Sequence, residues 1–141
     1  MYKVIVVEDE TMVRRGLILT IDWSALGCVI AGEASNGEEG VELVKRLSPD
    51  IIVTDVKMPR MDMITRLREQ GCRSRFIILT AYSDFKYAQS ALRLGVSDYL
   101  LKPLKDGDLE QAIGHIIGQI EEKPEPREEA PAAQVLRFNS E

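Results

Sequence analysis

Five short runs rich in β-branched and other apolar residues recur along the chain, and stretches with helical periodicity separate them. The runs are Val4-Ile5-Val6-Val7, Val29-Ile30-Ala31-Gly32-Glu33, Ile51-Ile52-Val53-Thr54, Phe76-Ile77-Ile78-Leu79-Thr80 and Ser97-Asp98-Tyr99-Leu100-Leu101. Continuous apolar runs of this length, unlike alternating ones, suit parallel strands covered on both faces. The second run is weaker and reads as an edge strand. Between the runs, Val13, Leu17 and Ile21 keep a helical spacing, and Val41, Leu43, Val44 and Leu47 share a broader face. Ala88, Ala91, Leu92 and Leu94 mark a fourth helix, and Leu109, Ala112, Ile113, Ile116, Ile117 and Ile120 a long final one. Asn36-Gly37 and Ser48-Pro49-Asp50 punctuate the second helix, Gly95 caps the fourth, and Asp106 or Asp108 starts the fifth. Five β-α units joined by right-handed crossovers predict an α/β fold: a doubly wound, five-stranded parallel sheet between two layers of helices.

A chain of 141 residues, 45% hydrophobic, can bury one sizeable core and has little room for a second. We expect one domain over residues 1–120. From residue 121 the sequence turns to Glu-Glu-Lys-Pro-Glu-Pro-Arg-Glu-Glu-Ala-Pro-Ala-Ala, where charge and proline are dense and nothing apolar repeats, so residues 121–141 read as a solvated linker or tail. The net charge of −5 argues against wholesale binding to nucleic acid or anionic membrane, which needs clustered Lys and Arg. No run approaches the roughly 18 apolar residues of a membrane span, and a cytoplasmic location is expected. Cys28 and Cys72 have neither metal-like nor redox-like spacing and read as small, partly buried thiols.

In doubly wound sheets, ligands bind outside the carboxyl ends of the strands. The first run leads into Glu8-Asp9-Glu10, the third into Asp55, the fourth ends at Thr80, and the fifth delivers Lys102-Pro103. Carboxylates, a hydroxyl and an ammonium would therefore converge at one rim. Crowded carboxylates repel one another, and a hard divalent cation such as Mg²⁺ relieves that repulsion. An ionised carboxylate such as Asp55 can attack phosphorus, while cation, lysine and hydroxyl screen the transferring oxygens. Each residue also has an ordinary reading: Glu8 and Asp9 as helix caps, Asp55 as a turn residue, Thr80 as a strand former, Lys102 as a solvated cation. Their coincidence at four of five strand ends favours a single site. Trp23 reads as packed beneath a loop, Tyr82 as either rim or packing, and His115 as structural or exposed. Gly114 and Gly118 cost the last helix stability unless they permit a close helix contact.

Four segments, Val6-Val7-Glu8-Asp9-Glu10, Val53-Thr54-Asp55-Val56-Lys57-Met58-Pro59, Leu79-Thr80-Ala81 and Tyr99-Leu100-Leu101-Lys102-Pro103, together resemble the receiver domain of two-component response regulators. Ile21-Asp22-Trp23, Asn36-Gly37-Glu38-Glu39 and the residues from Ala81 to Ala88 look like the subgroup with an AraC-type DNA-binding output domain. The resemblance implies a flavodoxin-like sheet of order 2-1-3-4-5 with five helices. It implies that Asp55 accepts phosphate from a sensor histidine kinase, with Glu8, Asp9, Asp55 and the Lys57 backbone carbonyl around Mg²⁺. Lys102 would pair with the phosphoryl group and Pro103 would follow a cis peptide bond, while Thr80 and Tyr99 would switch together. Phosphorylation would then reshape the face of helix four, strand five and helix five, as in receivers that form homodimers there. Such a domain is regulatory, assisting its own phosphorylation and dephosphorylation, and would reach DNA only through an output domain absent from this chain.

One segment departs from the family. Members usually follow Met-Pro-x-Met-Asp with Gly and two further residues, whereas here Asp62 runs directly into Met63-Ile64-Thr65-Arg66-Leu67-Arg68. Removing about three residues from a helix shortens it by about 4.5 Å, so a shortened third helix and an altered loop beside Asp55 are expected. This keeps a second class in view, a receiver-like binding module with weakened phosphorylation. A phosphatase of the haloacid-dehalogenase type wants a second acid where Lys57 stands. A flavin or dinucleotide enzyme wants a glycine-rich loop where Glu8-Asp9-Glu10-Thr11 offers acids.

Overall fold

The computed structural model describes residues 1–55, 60–81 and 85–122. Five strands, β1 (Tyr2–Val7), β2 (Cys28–Ala34), β3 (Ile51–Asp55), β4 (Arg75–Thr80) and β5 (Asp98–Leu101), alternate with helices α1 (Thr11–Thr20), α2 (Gly37–Leu47), α3 (Arg60–Glu69), α4 (Phe85–Arg93) and α5 (Asp108–Glu122). All strand pairs are parallel, in the order β2-β1-β3-β4-β5. A short 3-10 turn at Ser24–Leu26 closes the connection from α1 to β2.

The apolar runs are continuous because successive strand residues face two different cores. Ile5, Val7, Ile52, Phe76 and Ile78 pack with Val41, Val44, Met63, Ile64 and Leu67 of α2 and α3. Val4, Val6, Ile51, Val53, Ile77 and Leu79 pack on the opposite face with Leu17, Trp23, Leu109, Ala112, Ile113 and Ile116. Trp23 is buried there, its indole N–H donating to the Leu17 carbonyl at 3.2 Å. β5 behaves differently: Tyr99 and Leu101 are 39% and 50% exposed, so this edge strand is covered on one face only.

The helix ends follow the sequence closely. Asn36 caps α2 by accepting from the Glu39 N–H at 2.9 Å, and the Glu39 carboxylate reaches back past the cap to accept from the Ser35 N–H at 2.9 Å. Asp108 opens α5 and accepts from the Lys105 N–H at 3.0 Å. Gly95, at φ 77°, terminates the turn after α4. Leu92, assigned to the apolar stripe of α4 by its spacing, is instead 48% exposed. No neighbouring atom lies within 4 Å of a Cβ built on Gly114 or Gly118, so these glycines make no close helix contact among the described residues. α5 runs to Glu122 and so takes in the first two residues of the expected tail.

α3 contains 10 residues, as many as α1 and more than the 9 of α4. It is therefore not visibly shorter than its neighbours. The helix begins at Arg60 and takes in Met61 and Asp62 ahead of Met63, so the expected shortening is not seen in its length. Residues 56–59 of that connection, Tyr82, and residues 123–141 of the tail lie outside the described residues.

Candidate functional site

The register of the sheet brings the polar strand ends to one level. Val7 pairs with Thr54, Asp55 with Leu79, and Thr80 with Leu101. Glu8 and Asp55 thus follow partnered residues on adjacent central strands, and Lys102 follows the partner of Thr80, donating its backbone N–H to the Thr80 carbonyl at 2.8 Å. Glu8, Asp55 and Thr80 are all at most 1% exposed. The sheet interior pushes each of these polar groups to the rim because the residues before it are apolar and buried.

Lys102 Nζ donates to Glu8 Oε1 at 2.7 Å and lies 3.8 Å from Glu10 Oε1. The other Glu8 oxygen accepts from the Glu10 N–H at 3.1 Å. Burial of Glu8 strengthens its attraction to the ammonium, since little water screens the pair. Glu8, Asp9 and Glu10 each offer a carboxylate oxygen, and these oxygens lie within 4.8 Å of one another. Asp55 stands beside this cluster across the β1–β3 register and is not one of its three members. The Thr80 hydroxyl donates to the Ala81 carbonyl at 3.0 Å. Tyr99 pairs with Ile78, two positions before Thr80, and its side chain faces outward. The Lys102-Pro103 peptide bond is cis, and Lys57 lies outside the described residues.

Two participants were not legible as individual residues. Glu10 joins both the acid cluster and the Lys102 contact, although only its place in the acidic run marked it. Arg14, one turn into α1, donates to the Glu8 carbonyl at 2.7 Å and to Glu33 Oε1 at 2.9 Å. An Arg on a helix gives no sequence signal for such a contact, which depends on how α1 packs over β2.

The donor set suits a hard divalent cation: among the described residues it consists of carboxylate oxygens alone. Acids closing the first strand, an acid and a hydroxyl at the ends of the two central strands that follow, and a lysine before a cis proline, all on a 2-1-3-4-5 sheet, define a receiver-type α/β domain. The chain belongs to the response regulator receiver domain family, whose model matches residues 4–114. This family is regulatory rather than catalytic and generally binds Mg²⁺ at an acidic pocket.

Among its relatives, the transcriptional regulatory protein YesN of Bacillus subtilis is 35% identical over 123 residues, covering 85% of this chain and 33% of YesN. The transcriptional regulatory protein HptR of Staphylococcus aureus is 32% identical over 120 residues, covering 83% of this chain and 47% of HptR. The chain thus spans a third to a half of the length of these relatives. Among solved structures, the receiver domain of AraT, a response regulator from Geobacillus stearothermophilus, superposes with a TM-score of 0.80 at 33% identity, covering 88% of this chain and 98% of that one. A two-component transcriptional regulator AraC from Clostridium phytofermentans gives 0.76 at 25% identity, covering 86% and 97%. Among the described residues no helix is long and apolar enough to cross a membrane.

Proposed function

We propose that this domain accepts a phosphoryl group on Asp55 from a sensor histidine kinase and uses the modification to control an output, transcription in the first instance. The observation that carries this reading is the convergence of Glu8, Asp55, Thr80 and Lys102 at one rim, three of them buried and the fourth ion-paired to the first. In the transfer, an Asp55 carboxylate oxygen forms a bond to phosphorus as the bond from phosphorus to the kinase histidine nitrogen breaks, leaving that imidazole to take up a proton. Glu8, Asp9 and Asp55, with the Lys57 carbonyl, would hold Mg²⁺, which when bound neutralises charge on the phosphoryl oxygens. Lys102 is held at the rim by Glu8, within reach of its neighbours, and would turn its ammonium to the new dianion. Thr80 would exchange its bond to the Ala81 carbonyl for one to a phosphoryl oxygen. Met12, 87% exposed, and the apolar groove of about 480 Å³ between α1 and Leu104 flank the rim with surface that a protein donor can cover.

The downstream switch is assigned to α4, β5 and α5, where Leu92, Tyr99 and Leu101 are each exposed. A homodimer formed on phosphorylation would cover them. An AraC-type DNA-binding domain is the output that the sequence resemblance supports, and the relatives are long enough to carry a further domain. Incubation with Mg²⁺ and a small phosphodonor, followed by intact mass measurement, tests the central step. The expected result is the gain of one phosphoryl group by the wild-type chain and none by Asp55→Asn. An unmodified wild-type chain overturns the reading in favour of a receiver-like binding module.

A further inference from the structure

Glu8 is engaged at every polar atom. Its N–H donates to the Ala34 carbonyl at 2.9 Å, its two carboxylate oxygens accept from Lys102 and from the Glu10 N–H, and its own carbonyl accepts from Arg14. The Arg14 side chain is 14% exposed and its bond to the Glu8 carbonyl is charge-assisted, so little water competes for that bond. The same guanidinium is ion-paired through Nε to Glu33 of β2, and the second oxygen of Glu33 is held by Arg15. Arg14 further binds the connection through its backbone, its N–H donating to the Glu10 carbonyl at 2.9 Å.

We infer that Arg14 is a positioning residue for the acidic connection of residues 8–10: braced by Glu33, it fixes the Glu8 carbonyl and thereby the directions in which the Glu8 and Asp9 carboxylates point. The inference rests on the reading of that rim as a Mg²⁺ site. Three residues carry the acids, and a peptide plane is shared between the Glu8 carbonyl and the Asp9 N–H, so rotation of that plane swings both side chains. β1 anchors one end of the connection and α1 the other. The Arg14 to Glu8 bond is a side-chain contact made directly to the plane between them. A planar guanidinium can serve the carbonyl and the carboxylate at once, whereas a lysine ammonium lacks the rigid fork needed to hold both. Groups that orient metal ligands without touching the metal typically change affinity by about 10- to 100-fold when removed.

The test compares the wild-type chain with Arg14→Ala, Arg14→Lys and Glu33→Gln. Binding is measured directly, by calorimetric titration with Mg²⁺ and by the resonance signal of free Mn²⁺, alongside the Mg²⁺ dependence of labelling by a small phosphodonor. Arg14→Ala is expected to raise the metal dissociation constant about tenfold, with Arg14→Lys and Glu33→Gln in between. The Mg²⁺ concentration at which labelling reaches half its maximum should rise in the same order as the dissociation constant. Wild-type affinity in Arg14→Ala overturns the inference. If Arg14→Ala does not fold, wild-type affinity in Glu33→Gln overturns it equally. A wild-type chain that binds no divalent cation removes the reading beneath it, whereas one that binds metal and takes phosphate while the variants match it removes this inference alone.

Discussion

Lys102 Nζ sits 2.7 Å from Glu8 Oε1, and the Glu8 side chain has no exposure to solvent. Removing the ammonium leaves a buried carboxylate with its main counter-charge gone. Lys102→Ala should therefore lower the unfolding free energy by about 3 kcal/mol, the lower end of the range for broken buried pairs because Lys102 itself is partly exposed. Urea denaturation reads this as an earlier midpoint with an unchanged slope. Wild-type stability would show that the pair is neutral.

The mutual repulsion of Glu8, Asp9 and Glu10 makes the folded state a better cation ligand than the unfolded chain. Mg²⁺ at about 100 times its dissociation constant should raise the unfolding free energy by about 2.7 kcal/mol. Thermal melting with Mg²⁺ and then with excess chelator checks this, and Asp9→Asn should show a much smaller rise. A melting temperature indifferent to Mg²⁺ in the wild type would contradict the metal assignment.

Gly114 and Gly118 lie inside α5 with open space where a Cβ would stand. Each substitution by Ala should stabilise the domain by about 1 kcal/mol, because Ala gives up less conformational freedom in a helix. Chemical denaturation of the single and double variants tests it, the two effects adding if the sites are independent.

Glu39 links acidity to stability at the start of α2. The Ser35 backbone N–H, and then the Ser35 hydroxyl, hold its carboxyl below the ordinary range, outweighing the effect of burial. A depressed folded-state pKa contributes stability that is present above the unfolded value and is lost as pH falls through the folded one. The stability difference between wild type and Glu39→Gln should be constant near neutrality and shrink below the ordinary glutamate range. Urea midpoints across an acid pH series would show it, and a difference independent of pH would refute the link.

The sheet and its site were legible wherever a local pattern carried the signal. Ile51 to Thr54 are apolar without interruption because they are walled on both sides, and Asp55 stands out at their end for the same reason. Pairing partners were another matter. That Lys102 rests on Glu8, that Glu10 stands beside it and that Arg14 reaches the Glu8 carbonyl depend on register and helix docking, which place residues far apart in sequence within bonding distance. Leu92 has the helical spacing of a core residue, yet spacing cannot say whether a neighbour lies opposite. The start of α3 at Arg60 was hidden because Arg60, Met61 and Asp62 carry no sharp helix-start signal, and tertiary packing of Met63, Ile64 and Leu67 decides.

Trp23, the only tryptophan of the chain, is buried on the α1 and α5 side of the sheet, while α2 and α3 pack on the other. Its fluorescence is thus a gauge of one hydrophobic layer alone, whereas the amide signal in circular dichroism averages over both. Coincident unfolding curves from the two probes would mean that the strands transmit melting from one layer to the other as a single cooperative wall. Curves that separate would time the layers individually and show which one loosens first when the rim is modified.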